Sequence, residues 1–324
     1  MAPPTETSNS ITAGQDWNKD SLSSLVSIGT HKLFLSISGP PRQAEDPVVI
    51  VFAGAGETTR SFVELERLVS PFARLLLYDR SGLGRSEDGP NRSTAVMAAS
   101  ELSTALEAAG ISPPYILVAH SYGAIVAREF LHIRQKDVVG MVLAEASTER
   151  QSQFFKIPDP NIVAVIGDAN VAQVTGLRAD SKLSRDEWRA RAAERPRGMA
   201  ASQAEADSFV EVCETLGEKK QFDRQAMGDR PVSVIRCNSA RDYERLYVKG
   251  VEVGNGTEEE RRAFRGLLDK WDEIDRELKE EQLRLSSKCR FVHVADCGHN
   301  VQLVRPDVIA EEIRWVFRNR VSVN

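Results

Sequence analysis

The chain has 324 residues, 41% hydrophobic and 27% charged, with a net charge of −5, values typical of one large globular domain or a domain carrying an insert. The acidic balance gives no electrostatic case for nucleic acid or an anionic membrane surface, and no run approaches the ~20 apolar residues of a membrane span. Cys213, Cys237, Cys289 and Cys297 show neither a Cys-x-x-Cys pair nor zinc-like spacing, so reduced thiols and no metal are expected.

Residues 1–24 are rich in Ser, Thr, Pro and Asn and lack an apolar core of signal-peptide length. They are expected to be disordered or irregular, and the protein to be cytoplasmic. Leu25–Gly29 and Lys32–Ile37 alternate apolar and polar around Gly29-Thr30, the pattern of an antiparallel hairpin. Pro47 to Phe52 is a continuous β-branched run, hence a strand buried on both faces. It ends in Ala53-Gly54-Ala55-Gly56, and helix is predicted from Ser61 to Val69. Phe72 to Tyr78 is the next strand, followed by Asp79-Arg80-Ser81-Gly82-Leu83-Gly84-Arg85-Ser86, then an alanine-rich helix from Ser93 to Ala109.

Tyr115 to Ala119 again reads as a buried strand, but Ile125, Val126, Glu129 and Phe130 follow the period of a helix with one apolar face. Ser121 sits at the join, with Gly123 two residues on. So sharp a strand-to-helix turn holds a serine hydroxyl exposed in a strained conformation, the arrangement of a nucleophile elbow. A serine N-cap of an ordinary turn has the same local pattern, so the decision rests on partners elsewhere. Val138 to Leu143 is a further strand, ending at Glu145.

Between Thr148 and Asp229 no comparable strand run occurs, while Ser184–Glu194 and Ala201–Leu216 look like amphipathic helices. A helical insert, residues 148–229, is therefore expected within a core of 25–147 and 230–324. Pro231 to Ile235 restores the strand pattern. A second insert follows, dominated by a charged helix from Thr257 to Leu285, before the strand Phe291–Ala295 and the helix Pro306–Phe317. Strands alternating with helices after an opening hairpin predict an α/β protein with a mostly parallel sheet covered on both faces. In such sheets ligands bind at the carboxyl ends of the strands.

Candidate chemistry falls at those ends. A serine hydroxyl needs a base within hydrogen-bond reach, and of five histidines His299 follows the last strand, in Asp296-Cys297-Gly298-His299-Asn300. His31 lies in the hairpin, His132 on a helix, His293 inside a strand, and His120 should point away from Ser121. A carboxylate must then orient the imidazole. Glu145, directly after a buried strand, is preferred, with Asp242 as the alternative acid because it trails the strand that begins at Pro231. The oxyanion hole is assigned to the backbone amides of Tyr122 and Ala55. Gly54-Ala55-Gly56 with Asp79 also imitates a dinucleotide fingerprint, but Thr59 stands where the third glycine belongs.

Together these residues resemble the α/β-hydrolase superfamily, in its serine-nucleophile, esterase- and lactonase-like branch with a helical cap. The resemblance rests on Ala53-Gly54-Ala55-Gly56, the Asp79–Ser86 segment, Ala119-His120-Ser121-Tyr122-Gly123, Val142-Leu143-Ala144-Glu145 and Gly298-His299-Asn300-Val301-Gln302-Leu303. Ala119 replaces the usual first glycine of the elbow. The resemblance implies an eight-stranded sheet with its cap after the sixth strand, and an acid after that strand as in some lactone hydrolases. It implies hydrolysis of an ester, lactone or thioester through an acyl-enzyme on Ser121, with Phe154, Phe155 and Ile157 near the acyl pocket or packing the cap. The partner would be a small apolar ester-like substrate, with no cofactor, no nucleic acid and no membrane span, and a homodimer left open. The alternative is a non-hydrolytic member: a lyase, an acyltransferase, a cyclisation catalyst or a ligand-binding protein.

Overall fold

Runs of valine, isoleucine and leucine build the sheet, because β-branched and branched side chains pack well on a pleated, buried surface. The computed structural model describes residues 16–43, 45–90 and 92–320. Its eight strands are β1 (Leu22–Ser27), β2 (Lys32–Ser38), β3 (Val48–Phe52), β4 (Arg74–Tyr78), β5 (Tyr115–His120), β6 (Val138–Ala144), β7 (Val232–Cys237) and β8 (Cys289–Val294). They are ordered β1-β2-β4-β3-β5-β6-β7-β8. Only β1 with β2 and β2 with β4 pair antiparallel, and the rest is parallel. This is the α/β architecture expected from the sequence. Residues 1–15 of the segment expected to be irregular lie outside the described residues, and β1 begins at Leu22 within its remainder.

Successive strand residues point to opposite faces, and the core divides accordingly. Val48, Ile50, Phe52, Leu117 and Ala119 pack with the helices Ala95–Ala108 and Gly123–Ile133 on one face. Val49, Val51, Ile116 and Val118 pack with Val63–Val69 and Pro306–Asn319 on the other. Burial on both faces is why β3, β5 and β6 read as unbroken apolar runs.

Residues between β6 and β7 form short helices, among them Pro160–Ile166, Arg185–Glu194, Met199–Asp207 and Phe209–Glu218. Ser208 ends one helix and opens the next, so the single helix expected over 201–216 is two. After β7 the chain enters the helix Ser239–Glu252 at once, capped by the Asn238 side chain, which accepts from the Arg241 amide. No helix is predicted there from the sequence. The helix Glu258–Glu280 follows. Phe155 and Val165 from the first insert meet Phe264, Leu268, Trp271 and Leu278 from the second in a separate small core. The two inserts thus form one layer over the carboxyl ends of the strands.

Candidate active site

Ser121 leaves β5 at φ 52° and Glu145 leaves β6 at φ 48°. Non-glycine residues avoid this left-handed region, at a cost of about 1–3 kcal/mol, unless the surroundings over-determine it. Both are held by the sheet edge: the Ser121 amide donates to the Ala144 carbonyl, the Glu145 amide to the Ile235 carbonyl, and the Ser147 amide to the Ser121 carbonyl. The elbow can turn this sharply because position 123 is glycine. A Cβ there would drive into the Phe52 carbonyl of β3, which the following helix crosses.

His299 Nε2 lies 3.1 Å from Ser121 Oγ, and His299 Nδ1 lies 3.3 Å from Glu145 Oε2. The other Glu145 oxygen accepts from the Cys237 amide at 2.6 Å, so the carboxylate is fixed from two sides although it is fully buried. Burial works against its charge, but the Lys279 ammonium and His299 outweigh this and hold Glu145 well below the usual carboxylate range. Burial likewise disfavours the imidazolium, yet the hydrogen bond and charge of Glu145 raise His299 above its ordinary value.

Asp242 lies near His299 but serves another atom. Its Oδ2 accepts from the His299 backbone amide at 3.0 Å, from the first turn of the Ser239–Glu252 helix. Gly298 is required by this contact, since a Cβ at that position would overlap the Asp242 carboxylate. Of the two candidate acids, the structure sets Glu145 against the imidazole and Asp242 against the backbone.

The loop after β3 is held by its other polar groups. Arg80 donates to the Ala53 and Gly54 carbonyls at 2.7 and 2.8 Å. Glu205 accepts from the Gly56 amide at 2.8 Å, and Glu57 from the Gly54 amide at 3.3 Å. Among the described residues no protein acceptor takes the amides of Ala55 or Tyr122. Ala55 is exposed and lines the same cavity as Ser121, while the Tyr122 side chain is buried beneath Arg80.

His120 turns from Ser121 Oγ as the sequence suggested, meeting Glu57 Oε2 through Nδ1 at 3.0 Å and the His299 carbonyl through Nε2 at 2.9 Å, while Glu57 had not been singled out. Glu57 also meets Arg191 at 3.4 Å and accepts from Gln302 at 2.9 Å, and despite burial its His120 and Arg191 partners keep it ionised. Position after a glycine-rich loop was its only signal. Among the described residues no group of three or more His, Cys, Asp or Glu side chains converges as a metal site would require.

Above Ser121 lies a cavity of about 400 Å³, walled by Phe155, Ile157 and Ile162 from the first insert and Tyr243, Leu267 and Trp271 from the second. Of the two alternatives for these residues, Phe155 and Ile157 line the cavity, Phe155 while also in the insert core, and Phe154 packs beside Arg150 and that core. A more open depression of about 840 Å³, between Asp168–Asn170 and the Ser239–Glu252 helix, carries neither serine nor histidine on its walls.

Residues 48–312 match the profile of the Alpha/beta hydrolase family. The chain belongs to the α/β-hydrolase family. Relatives agree over most of its length. An "AB hydrolase superfamily protein" of Gibberella zeae is 33% identical over 301 residues, 89% of this chain and 91% of that protein. The "Probable transporter efuK" of Hormonema carpetanum is 36% identical over 299 residues, 90% of this chain but 42% of that protein, so the chain spans less than half of that relative. Among solved structures, a putative lipase (lip1) from Acinetobacter baumannii AYE superposes with a TM-score of 0.66, covering 94% of this chain and 93% of that one, at 13% identity. At that identity the likeness speaks for the α/β-hydrolase fold alone. No helix among the described residues is long and apolar enough to cross a membrane.

Proposed function

We propose that this α/β-hydrolase is a serine hydrolase that cleaves an ester, lactone or thioester of a small apolar molecule through an acyl-enzyme on Ser121. One observation carries the reading: Ser121 Oγ, His299 and Glu145 form an unbroken hydrogen-bonded chain from three strand ends. In the attacking step His299 Nε2 takes the hydroxyl proton as Oγ adds to the acyl carbonyl. Glu145 keeps the proton of Nδ1 in place and stabilises the imidazolium that forms. The unoccupied amides of Ala55 and Tyr122 receive the developing oxyanion, a contribution worth about 3–4 kcal/mol per donor in related chemistry. His299 then gives its proton to the leaving oxygen or sulfur, and a water repeats the sequence to free Ser121. Trp271, Leu267 and Ile162 supply the apolar wall for the acyl group.

The test is intact-mass spectrometry after a fluorophosphonate probe, with peptide mapping, beside aryl-ester turnover. A single label on Ser121, lost in Ser121→Ala together with turnover while circular dichroism stays unchanged, is expected. An unlabelled but folded protein, or full activity in Ser121→Ala, overturns the reading in favour of a non-hydrolytic or binding role.

A further inference from the structure

Besides holding the Glu145 charge, Lys279 forms with Asp275 a feature of the cavity wall that no acyl-transfer step touches directly. Trp271, Asp275 and Lys279 are spaced four residues apart, so they share one face of the Glu258–Glu280 helix, and all three border the cavity above Ser121. The side chain of Lys279 is 3% exposed and that of Asp275 7%, with Nζ and Oδ1 3.0 Å apart. Asp275 Oδ2 also accepts from Arg236 Nε at 2.9 Å. An ammonium has three donors, and Asp275 is the one acceptor that Lys279 meets among the described residues. Burying such a pair costs several kcal/mol per ion unless further hydrogen bonds complete it. Beside it the wall is aromatic, with the Trp271 ring packed against both Phe155 and Tyr243.

We propose that Lys279 and Asp275 are the specificity-determining residues of the acyl pocket, and that they recognise a neutral hydroxyl on an otherwise apolar acyl group. The inference rests on the serine-hydrolase reading. The charges select the class: on the cavity wall Lys156, Arg191 and Lys279 balance Glu57, Glu145 and Asp275, so an anionic substituent finds no net attraction and meets three carboxylates. A hydroxyl accepts a further hydrogen bond from the Lys279 ammonium and donates to the Asp275 carboxylate. A plain alkyl group offers the remaining Lys279 donors nothing, which is the situation in which enzymes discriminate against a missing hydroxyl most strongly. The substrate class is therefore a hydroxyacyl ester, or the lactone or thioester of a hydroxylated acid.

The experiment compares p-nitrophenyl esters in matched pairs, alkanoyl against hydroxyalkanoyl of equal chain length, with the corresponding dicarboxylic half-ester as the anionic control. At the preferred length, kcat/KM for the hydroxyacyl ester is expected to exceed that for the alkanoyl ester by roughly tenfold or more, and the anionic ester to be the poorest. Lys279→Met should collapse the ratio to near one, and Lys279→Gln, which keeps donors without charge, should restore part of it. Equal kcat/KM across each pair in the wild-type enzyme, or an unchanged ratio in Lys279→Met, overturns the proposal. Calorimetric binding of the matched hydroxyalkanamide and alkanamide gives the same comparison without chemistry. If Ser121 takes no fluorophosphonate label, that failure belongs to the hydrolase reading. Equal affinity for the two amides would still sink this one separately.

Discussion

Two carboxylates reach His299 and take different atoms of it, and their variants should separate accordingly. Glu145 meets Nδ1, so Glu145→Gln removes the charge that stabilises the imidazolium and leaves the tautomer unspecified. A fall in kcat of about 10³–10⁴ is expected, the scale measured for the equivalent change in a serine protease triad. Asp242→Asn keeps an oxygen for the His299 amide and should cost less than about tenfold on the same measure. Steady-state kinetics of the two variants check this, and the reverse ranking would move the acid to Asp242. The pH dependence follows from the same contacts. In the proposed mechanism turnover needs neutral His299, and against burial and the opposing Lys279 charge Glu145 raises its pKa, with Glu57 adding to the rise. The acid limb of kcat/KM should therefore lie above the ~6.5 of a free imidazole, with activity lost as pH falls through it. In Glu145→Gln the residual activity should show that limb displaced downward.

At the scale of elements, what was legible in the sequence were the features that repeat. Continuous β-branched runs announced β3, β5 and β6, and a change of period after His120 announced the elbow, because burial on both faces and helical amphipathicity are periodic constraints. The helix Ser239–Glu252 was overlooked although Asn238 is a good N-cap and Tyr243, Leu246 and Tyr247 recur at helical spacing. Asp242 lies in the first turn of that helix, with its carboxylate on the His299 backbone amide rather than on the imidazole. Lys279 and Asp275 had a fainter signal: they extend the buried stripe of Phe264, Leu268 and Trp271, where a charge is out of place. Gly298 tests how helix and histidine loop fit. Gly298→Ala pushes a methyl into Asp242, so stability should fall by about 1–3 kcal/mol while activity falls further, because His299 is displaced with its loop. Urea denaturation beside ester turnover separates the two, and retention of wild-type turnover would refute the coupling.

For the whole molecule, the decisive contacts join chain segments too far apart for any sequence pattern to register. Glu205, on the Met199–Asp207 helix of the first insert, forms a two-point ion pair with Arg80, 125 residues away, at 2.6 and 3.0 Å. Both side chains are 4% exposed. Arg80 simultaneously holds the carbonyls of Ala53 and Gly54, and Glu205 holds the Gly56 amide. Glu194 adds bonds to Thr58 and Arg60 of the same region. The insert is thus fastened to the loop after β3 by charge, whereas its seam with the second insert combines an apolar cluster with the ion pairs of Arg150 to Glu277 and Glu281. Such a pair is worth little net against an apolar replacement, but breaking one half leaves a buried charge without its partner. Glu205→Ala should therefore lower unfolding free energy by about 3–5 kcal/mol. It should also depress kcat more than it raises KM if the Ala55 amide is the oxyanion donor proposed above, since that amide belongs to the segment that Arg80 and Glu205 restrain. The double variant Arg80→Met, Glu205→Leu should recover most of the stability and little of the kcat, as burial is repaired but the loop is no longer clamped. Denaturation midpoints and steady-state kinetics of single and double variants decide it. Recovery of kcat in parallel with stability would show that the pair only holds the insert in place and has no part in aiming the amide.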